Sequence, residues 1–152
     1  PMGAVAASRT VHDTIVNSGA PGAIELAHGY TYSAHPAATA AAVATLDLYR
    51  REDLFARAAS MAPKFESAVH ALRDAKHVKD IRNLGMVAGI ELDTRDGAPG
   101  ARAYEAFVKC FEAGVLIRFT GDILAFSPPL IVEEAQIDRI FSTVREVLAT
   151  VQ

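Results

Sequence analysis

The 152-residue chain contains one cysteine and no tryptophan. A single cysteine, Cys110, excludes an internal disulfide and any multi-cysteine metal site. Cys110 stands beside Phe107, Val108 and Phe111 in an apolar helical pattern, which predicts a buried, inert thiol rather than a nucleophile. Such low cysteine usage fits a reducing cytoplasm.

The chain also lacks runs of one charge and long apolar stretches. No segment is rich in lysine or arginine, and the formal net charge is -3, which argues against a nucleic-acid partner. No apolar stretch reaches the roughly 20 residues that span a bilayer, so we expect no membrane partner. With 51% hydrophobic and 22% charged residues, the composition excludes a disordered chain.

Several catalytic signatures are missing as well. The sequence has no glycine-rich P-loop, no G-x-S-x-G motif and no dinucleotide fingerprint. His28 and His35 have no second histidine or carboxylate at metal-ligand spacing, so we expect no metal site. Hydrogen-bonding structural roles are favoured for both histidines.

The first half of the chain is predicted to hold one strand and three helices. Gly3 to Ala7 is an apolar run typical of a strand covered on both faces. Ser8 is placed to cap a short helix that ends near Val16. An alanine-rich helix is predicted from Pro36 to about Arg51, and another from Asp53 to Ala75, with Pro63 as a point of kinking or division.

The second half alternates strands and helices in the order β-β-α-β-β-α. Its apolar faces are sufficient for a small sheet with its own core, so we expect the domain boundary between Pro36 and Ala75. The predicted elements are strands at 78–82 and 86–92, a helix that ends at Gly114, strands at 115–119 and 123–127 that turn at Thr120-Gly121, and a terminal helix over 137–148.

Two positions have the chemistry to bind an anion. Thr31 carries a hydroxyl shortly before the helix that opens at Pro36, and the amides of Tyr30, Thr31 and Tyr32 add donors for a phosphate. Arg118, near a hairpin tip, is shaped to grip a carboxylate through two parallel hydrogen bonds. Taken alone, these residues favour simpler interpretations, namely a Ser/Thr turn at Thr31 and a surface ion pair at Arg118.

Three segments together resemble the class III aminotransferases, which are pyridoxal-phosphate (PLP) enzymes of fold type I. They are 1–5, 28–37 and 82–92, and their order and spacing match the family over essentially the whole chain. The segment 114–122 most resembles the ω-amino-acid:pyruvate branch, which includes β-alanine–pyruvate aminotransferases.

The resemblance implies an α/β chain in two parts and a role for three residues. Residues 1–60 would be the end of the large PLP-binding domain with its connecting helix, and residues 61–152 the C-terminal small α+β domain. Thr31 matches the threonine that binds the cofactor phosphate across a dimer interface, and Tyr30 matches the residue whose amide joins that contact. Arg118 matches the arginine that holds the substrate carboxylate and swings away for an uncharged amine.

The chain departs from the family in one respect. The family's Schiff-base lysine would lie just before Pro1, and no lysine of this chain stands in a matching context. We therefore assign no catalytic residue here. The resemblance leads us to expect the C-terminal portion of a longer enzyme, joined by its upstream part in a homodimer or a dimer of dimers.

The resulting interpretation is a cytoplasmic transaminase. It would move an amino group from a β- or ω-amino acid, or an amine, to pyruvate through PLP. Two alternatives remain open at this point. One is another class III PLP enzyme, such as an aminomutase or a decarboxylase, and the other is a non-catalytic α/β assembly domain.

Overall fold

The computed structural model describes residues 2–26, 28–29 and 31–152, and the chain divides into two units, 1–51 and 52–152. The described part of the first unit contains helices α1 (Arg9–Val16) and α2 (Pro36–Arg51). The second unit contains three helices and a four-stranded sheet.

Both helices of the first unit begin where the sequence predicts. The Ser8 side chain accepts a hydrogen bond of 3.3 Å from the Val11 amide and caps α1. Helix α2 opens at Pro36, because proline has no amide to leave unpaired in a first turn. No described residue of this unit is buried.

The predicted strand at 3–7 is wrong. These residues are exposed and belong to no strand. A strand buried on both faces needs neighbouring strands in a covered sheet, typically a parallel one, and the described part of this unit has no strand to pair with. The apolar run indicates that these side chains favour burial, but a run of apolar residues does not by itself provide the neighbouring strands that would bury them.

Helix α3 (Leu54–His70) opens the second unit and runs without a break through Pro63. It ends at His70 rather than at Ala75, because the backbone that follows forms turns with hydrogen bonds between residues three positions apart. The Leu72 amide donates to the Val69 carbonyl at 3.1 Å and the Arg73 amide to the His70 carbonyl at 3.1 Å. Leu72 remains in the core with 1% of its surface exposed.

The remaining elements confirm the predicted β-β-α-β-β-α order. The sheet is antiparallel throughout, with the strand order β1-β2-β4-β3. Its edge strand β3 is shorter than predicted, and Val115 and Ile117 lie buried before it without pairing. The elements are β1 (Val78–Leu84), β2 (Val87–Leu92), α4 (Ala101–Glu112), β3 (Arg118–Thr120), β4 (Ile123–Phe126) and α5 (Glu134–Thr150).

The core of the second unit lies between one face of the sheet and the three helices. Phe141 of α5 packs edge-on against Phe65 of α3 at a centroid distance of 5.3 Å, and its ring lies 5.2 Å from that of Phe126 in β4. Alternate residues of the strands point into this core. They include Ile81, Ala88, Ile90, Leu92, Leu124 and Phe126.

The opposite face of the sheet carries one continuous row of cross-strand neighbours. Arg82 pairs with Gly89, Gly89 with Ala125, and Ala125 with Arg118. Directly paired residues project from the same face, so two small residues separate an arginine at each edge of the sheet. This row positions the Arg118 site.

Candidate functional site

The Thr31 loop lies in the first unit and leads directly into α2. Residues 31–34 form a turn, in which the His35 amide donates to the Tyr32 carbonyl at 3.2 Å and Ala34 has a φ of 57°. Thr31 is exposed, and its hydroxyl forms no hydrogen bond with the described residues. By contrast, the Thr45 hydroxyl donates to the Ala41 carbonyl at 2.8 Å. Unlike that of Thr45, the Thr31 hydroxyl therefore does not donate to a backbone carbonyl of the described residues.

Backbone donors lie close to this hydroxyl in sequence. The Thr39 amide donates to the His35 carbonyl at 3.0 Å and starts the helical ladder, so the amides of Ala37 and Ala38 have no intrahelical partner. They lie at the positive end of the α2 dipole. Tyr30 lies outside the described residues, so the role of its amide stays a prediction. The loop thus offers hydroxyl and amide donors of the kind that hold a phosphate.

Arg118 is the first residue of β3, at the edge of the sheet in the second unit. Its side chain is exposed and forms no hydrogen bond or ion pair with the described residues. Arg82, at the other end of the same row, pairs with Asp80 at 2.9 Å and with Glu91 at 3.1 Å. Of the two arginines, only Arg118 keeps its guanidinium available to a ligand.

A cavity of about 470 Å³ lies beside Arg118 within the second unit. Its walls are the segments 114–118 and 125–129 and one side of α5. Its lining combines apolar side chains such as Phe65 and Ile140 with the polar groups of Gln136 and Arg139. A cavity that is mostly apolar with a few cationic and amide groups is suited to a small carboxylic acid.

Arg139 is a lining residue that the sequence analysis missed. Its Nη2 atom lies 3.2 Å from the position that a Cβ atom on Gly114 would occupy, and Gly114 has a φ of 82°. No described residue forms an ion pair with Arg139. The helical pattern of α5 does not distinguish this arginine from other exposed residues, and Gly114 was interpreted only as a helix cap.

The hairpin that carries Arg118 is fastened at its turn by Asp122. One Asp122 oxygen, Oδ1, accepts from the Gly100 amide at 2.8 Å, and the other, Oδ2, accepts from the Thr94 hydroxyl at 2.8 Å. The Leu92 amide donates to the Asp122 carbonyl at 2.9 Å. The sequence analysis identified the turn but not these three anchors, which come from segments distant in the chain.

The charge next to this row is neutralised locally. Lys79 Nζ lies 2.7 Å from Glu91 Oε1, and hydrogen bonds from Lys79 and Arg82 lower the pKa of Glu91. Glu91 is therefore a carboxylate, and its negative charge neutralises the positive charge of Arg82. Among the described residues, no group of histidine, cysteine and carboxylate side chains could hold a metal ion, and no helix is long and apolar enough to cross a membrane.

Comparison with known proteins identifies the family. The sequence matches the aminotransferase class-III family over residues 1–148. It is 59% identical over 151 residues to an omega-aminotransferase of Caulobacter vibrioides, covering 99% of this chain and 34% of that protein. It is 46% identical over 149 residues to a beta-alanine–pyruvate aminotransferase of Pseudomonas aeruginosa, covering 97% and 33%.

A solved structure agrees with the sequence relatives. The thermostable omega transaminase of Pseudomonas jessenii, a 6-fold mutant, superposes with a TM-score of 0.75 at 33% identity, covering 82% of this chain and 29% of the other. The chain thus spans about a third of the length of the curated relatives it matches. It belongs to the class III aminotransferase family and has the fold of its PLP-dependent transaminases.

Proposed function

We propose that this chain is part of a PLP-dependent transaminase that moves an amino group from a β- or ω-amino acid, or an amine, to pyruvate. The observation that carries the proposal is the Arg118 guanidinium at a sheet edge, which pairs with no described residue and lies beside a cavity of about 470 Å³. The names of the relatives at 59% and 46% identity specify the same reaction class.

The Thr31 loop is the proposed phosphate-binding site for PLP. The phosphate of PLP fits the residues present. The Thr31 hydroxyl is exposed and has no hydrogen bond to the described residues, and the amides of Ala37 and Ala38 in α2 have no intrahelical partner. The cofactor supplies the carbonyl group and electron sink for amino transfer. The role of this chain at that point is to bind and orient an anion through a hydroxyl and main-chain NH groups, with Tyr30 as a further proposed donor.

Arg118 is proposed to hold the substrate carboxylate. A guanidinium presents parallel N–H groups that match the two oxygens of a carboxylate. Because no described residue pairs with Arg118, binding a substrate carboxylate breaks no existing ion pair of this chain. The same freedom allows the side chain to move away when the amino donor has no carboxylate.

The first unit is proposed to be completed by other parts of the enzyme. None of its described residues is buried, and Val43 and Leu46 of α2 are 59% and 53% exposed. A stable protein covers most exposed apolar side chains of this kind with other parts of the protein or with a partner. We assign that cover to the upstream part of the same enzyme and to a second subunit, in a homodimer or a dimer of dimers.

The remaining assignments follow from the same proposal. Residues 1–60 would be the end of the large PLP-binding domain with its connecting helix, and 61–152 the C-terminal small domain. The substrates would be small amino acids and keto acids, and the proposed location is the cytoplasm, where the free, buried Cys110 stays reduced.

The test compares two amino donors in the complete enzyme that contains this chain. β-Alanine and propylamine have similar size, but only β-alanine has a carboxylate. With pyruvate as acceptor, Arg118→Ala should lower kcat/KM for β-alanine by about 10- to 100-fold, the usual value of hydrogen bonds to a charged group, and should leave propylamine within about threefold.

Arg82→Ala is the matched control, because Arg82 lies on the same row of the same sheet face. Equal losses with both donors, or an equal loss in Arg82→Ala, would reject the role of Arg118. Absence of pyruvate-dependent alanine formation with every donor would reject the proposed function.

A further inference from the structure

We propose that Asp122 is a positioning residue for Arg118: its carboxylate fixes the β3–β4 hairpin and thereby the place from which the guanidinium meets a substrate carboxylate. This inference rests on the proposed function and deepens it. Each carboxylate oxygen of Asp122 already accepts a hydrogen bond within the chain, from the Gly100 amide or from the Thr94 hydroxyl.

The strand that carries Arg118 is short, and packing holds the residue on each side of the arginine: Ile117 is 6% exposed, and the Phe119 ring lies 5.2 Å from that of Phe107. Strand β3 has three residues, lies at the edge of the sheet and pairs only with β4. Arg118 is its first residue, so it lies at the end of the strand farthest from the turn. A short edge strand frays readily unless its turn is fixed, so the anchoring of the turn adds to this packing in setting where Arg118 lies.

Asp122 joins the turn to two other segments. Its Oδ1 accepts from the Gly100 amide at 2.8 Å, where α4 begins, and its Oδ2 accepts from the Thr94 hydroxyl at 2.8 Å, after the end of β2. The Leu92 amide adds a third link, to the Asp122 carbonyl, at 2.9 Å. The two side-chain hydrogen bonds tie the turn to the start of α4 and to the loop after β2 at the same time, so the Asp122 side chain provides the main restraint on the turn.

The backbone at this junction is shaped for the contact. Gly121 occupies the first position of the two-residue turn with a φ of 53°, as a primed hairpin turn requires. Gly100 has a φ of 77°, and a Cβ atom there would lie 3.3 Å from the Gly121 carbonyl oxygen. Two glycines thus allow the two backbones to approach closely enough for the Asp122 carboxylate to reach the Gly100 amide.

The geometry, rather than the charge, is the property that positions Arg118. An asparagine has one carbonyl oxygen that can still accept from the Gly100 amide. Its NH₂ group can donate to the Thr94 hydroxyl, because a hydroxyl both donates and accepts. Asp122→Asn should therefore preserve the anchor, whereas Asp122→Ala removes both side-chain links.

The experiment uses the complete enzyme with Asp122→Ala, Asp122→Asn and the control Asp96→Ala. Asp96 is an exposed aspartate of the loop between β2 and α4, which also contains Thr94 and Gly100, and it forms no hydrogen bond with the described residues. We expect Asp122→Ala to lower kcat/KM for β-alanine by about tenfold or more, since an ångström of misplacement costs up to about a hundredfold, while propylamine stays within about threefold. Asp122→Asn and Asp96→Ala should match the wild type for both donors.

A second readout follows the hairpin directly. Hydrogen–deuterium exchange of the peptide 118–126 should accelerate in Asp122→Ala, while exchange in α3 stays unchanged, which also reports whether the variant remains folded. A purely structural role would instead accelerate exchange throughout 52–152 and lower the turnover of both donors equally, and that result would overturn the inference.

Other outcomes are equally decisive. Unchanged β-alanine turnover in Asp122→Ala, or Asp122→Asn as damaging as Asp122→Ala, would also reject the positioning role. If the wild type forms no alanine with any donor, the proposed function fails and this inference fails with it. An active wild type with equal donor losses in Asp122→Ala removes only the inference.

Discussion

Replacing Phe141 by alanine tests whether the second unit has a core of its own. The Phe141 ring is 4% exposed and lies 5.3 Å from the Phe65 ring and 5.2 Å from the Phe126 ring. It therefore joins α3, the sheet and α5. Truncating a fully buried phenylalanine costs about 3–5 kcal/mol, because apolar burial is lost and a cavity remains.

The magnitude converts directly into an exchange rate. In the complete enzyme, hydrogen–deuterium exchange of the most protected amides of β2 and β4 measures the free energy of opening this unit. A loss of about 3–5 kcal/mol predicts that these amides exchange between about a hundred and a few thousand times faster. Helix α2, in the other unit, should change little.

Phe111→Ala is the matched control, since Phe111 is 62% exposed. Its removal should cost less than about 0.5 kcal/mol, the usual range for surface positions. The reasoning is refuted if the two variants accelerate exchange equally, or if Phe141→Ala affects α2 as much as β2 and β4.

Two further stability predictions concern loop geometry and pH. Gly100→Ala should lower the free energy of unfolding by about 1–3 kcal/mol, because Gly100 combines a φ of 77° with a close backbone neighbour; Gly97→Ala, with a φ of 70° in open space, should cost about 1–2 kcal/mol from the φ alone. Equal thermal shifts would show that the neighbour is irrelevant. Hydrogen bonds from Lys109 and Arg95 lower the pKa of Glu105 to about 2, so its stabilisation is present above its unfolded pKa of 4.5 and disappears as the pH falls through about 2. Glu105→Gln should lower the urea midpoint at pH 7 and match the wild type near pH 2, and a difference that stays constant with pH would contradict this.

Local chemistry made the start of several elements predictable. Ser8 and Pro36 open α1 and α2 where capping and proline preferences place them. The alternation of buried and exposed residues in β2 locates the core face of the sheet. These features depend on residues within a few positions of one another.

What the sequence could not supply depends on distant segments. The run 3–7 has the composition of a buried strand but no described neighbour to pair with. Arg139 and Gly114 lie 25 positions apart in the chain, yet the Arg139 Nη2 atom lies 3.2 Å from where a Cβ atom on Gly114 would be. In the sequence, Asp122 has the pattern of an ordinary turn residue. Its role as an anchor appears only when the fold brings the Gly100 amide and the Thr94 hydroxyl to its carboxylate.

The most direct test of the account is the affinity for PLP of the complete enzyme with the Thr31→Ala substitution. The visible absorbance of the cofactor measures this affinity. Thr45→Ala is the control, because the Thr45 hydroxyl only bonds its own helix at 2.8 Å. The account predicts that Thr31→Ala raises the Kd for PLP by about tenfold or more, while Thr31→Ser and Thr45→Ala stay near the wild type. Pyridoxal, which lacks the phosphate, should bind all four proteins alike. A Thr31→Ala enzyme that binds PLP as tightly as Thr45→Ala would contradict the account.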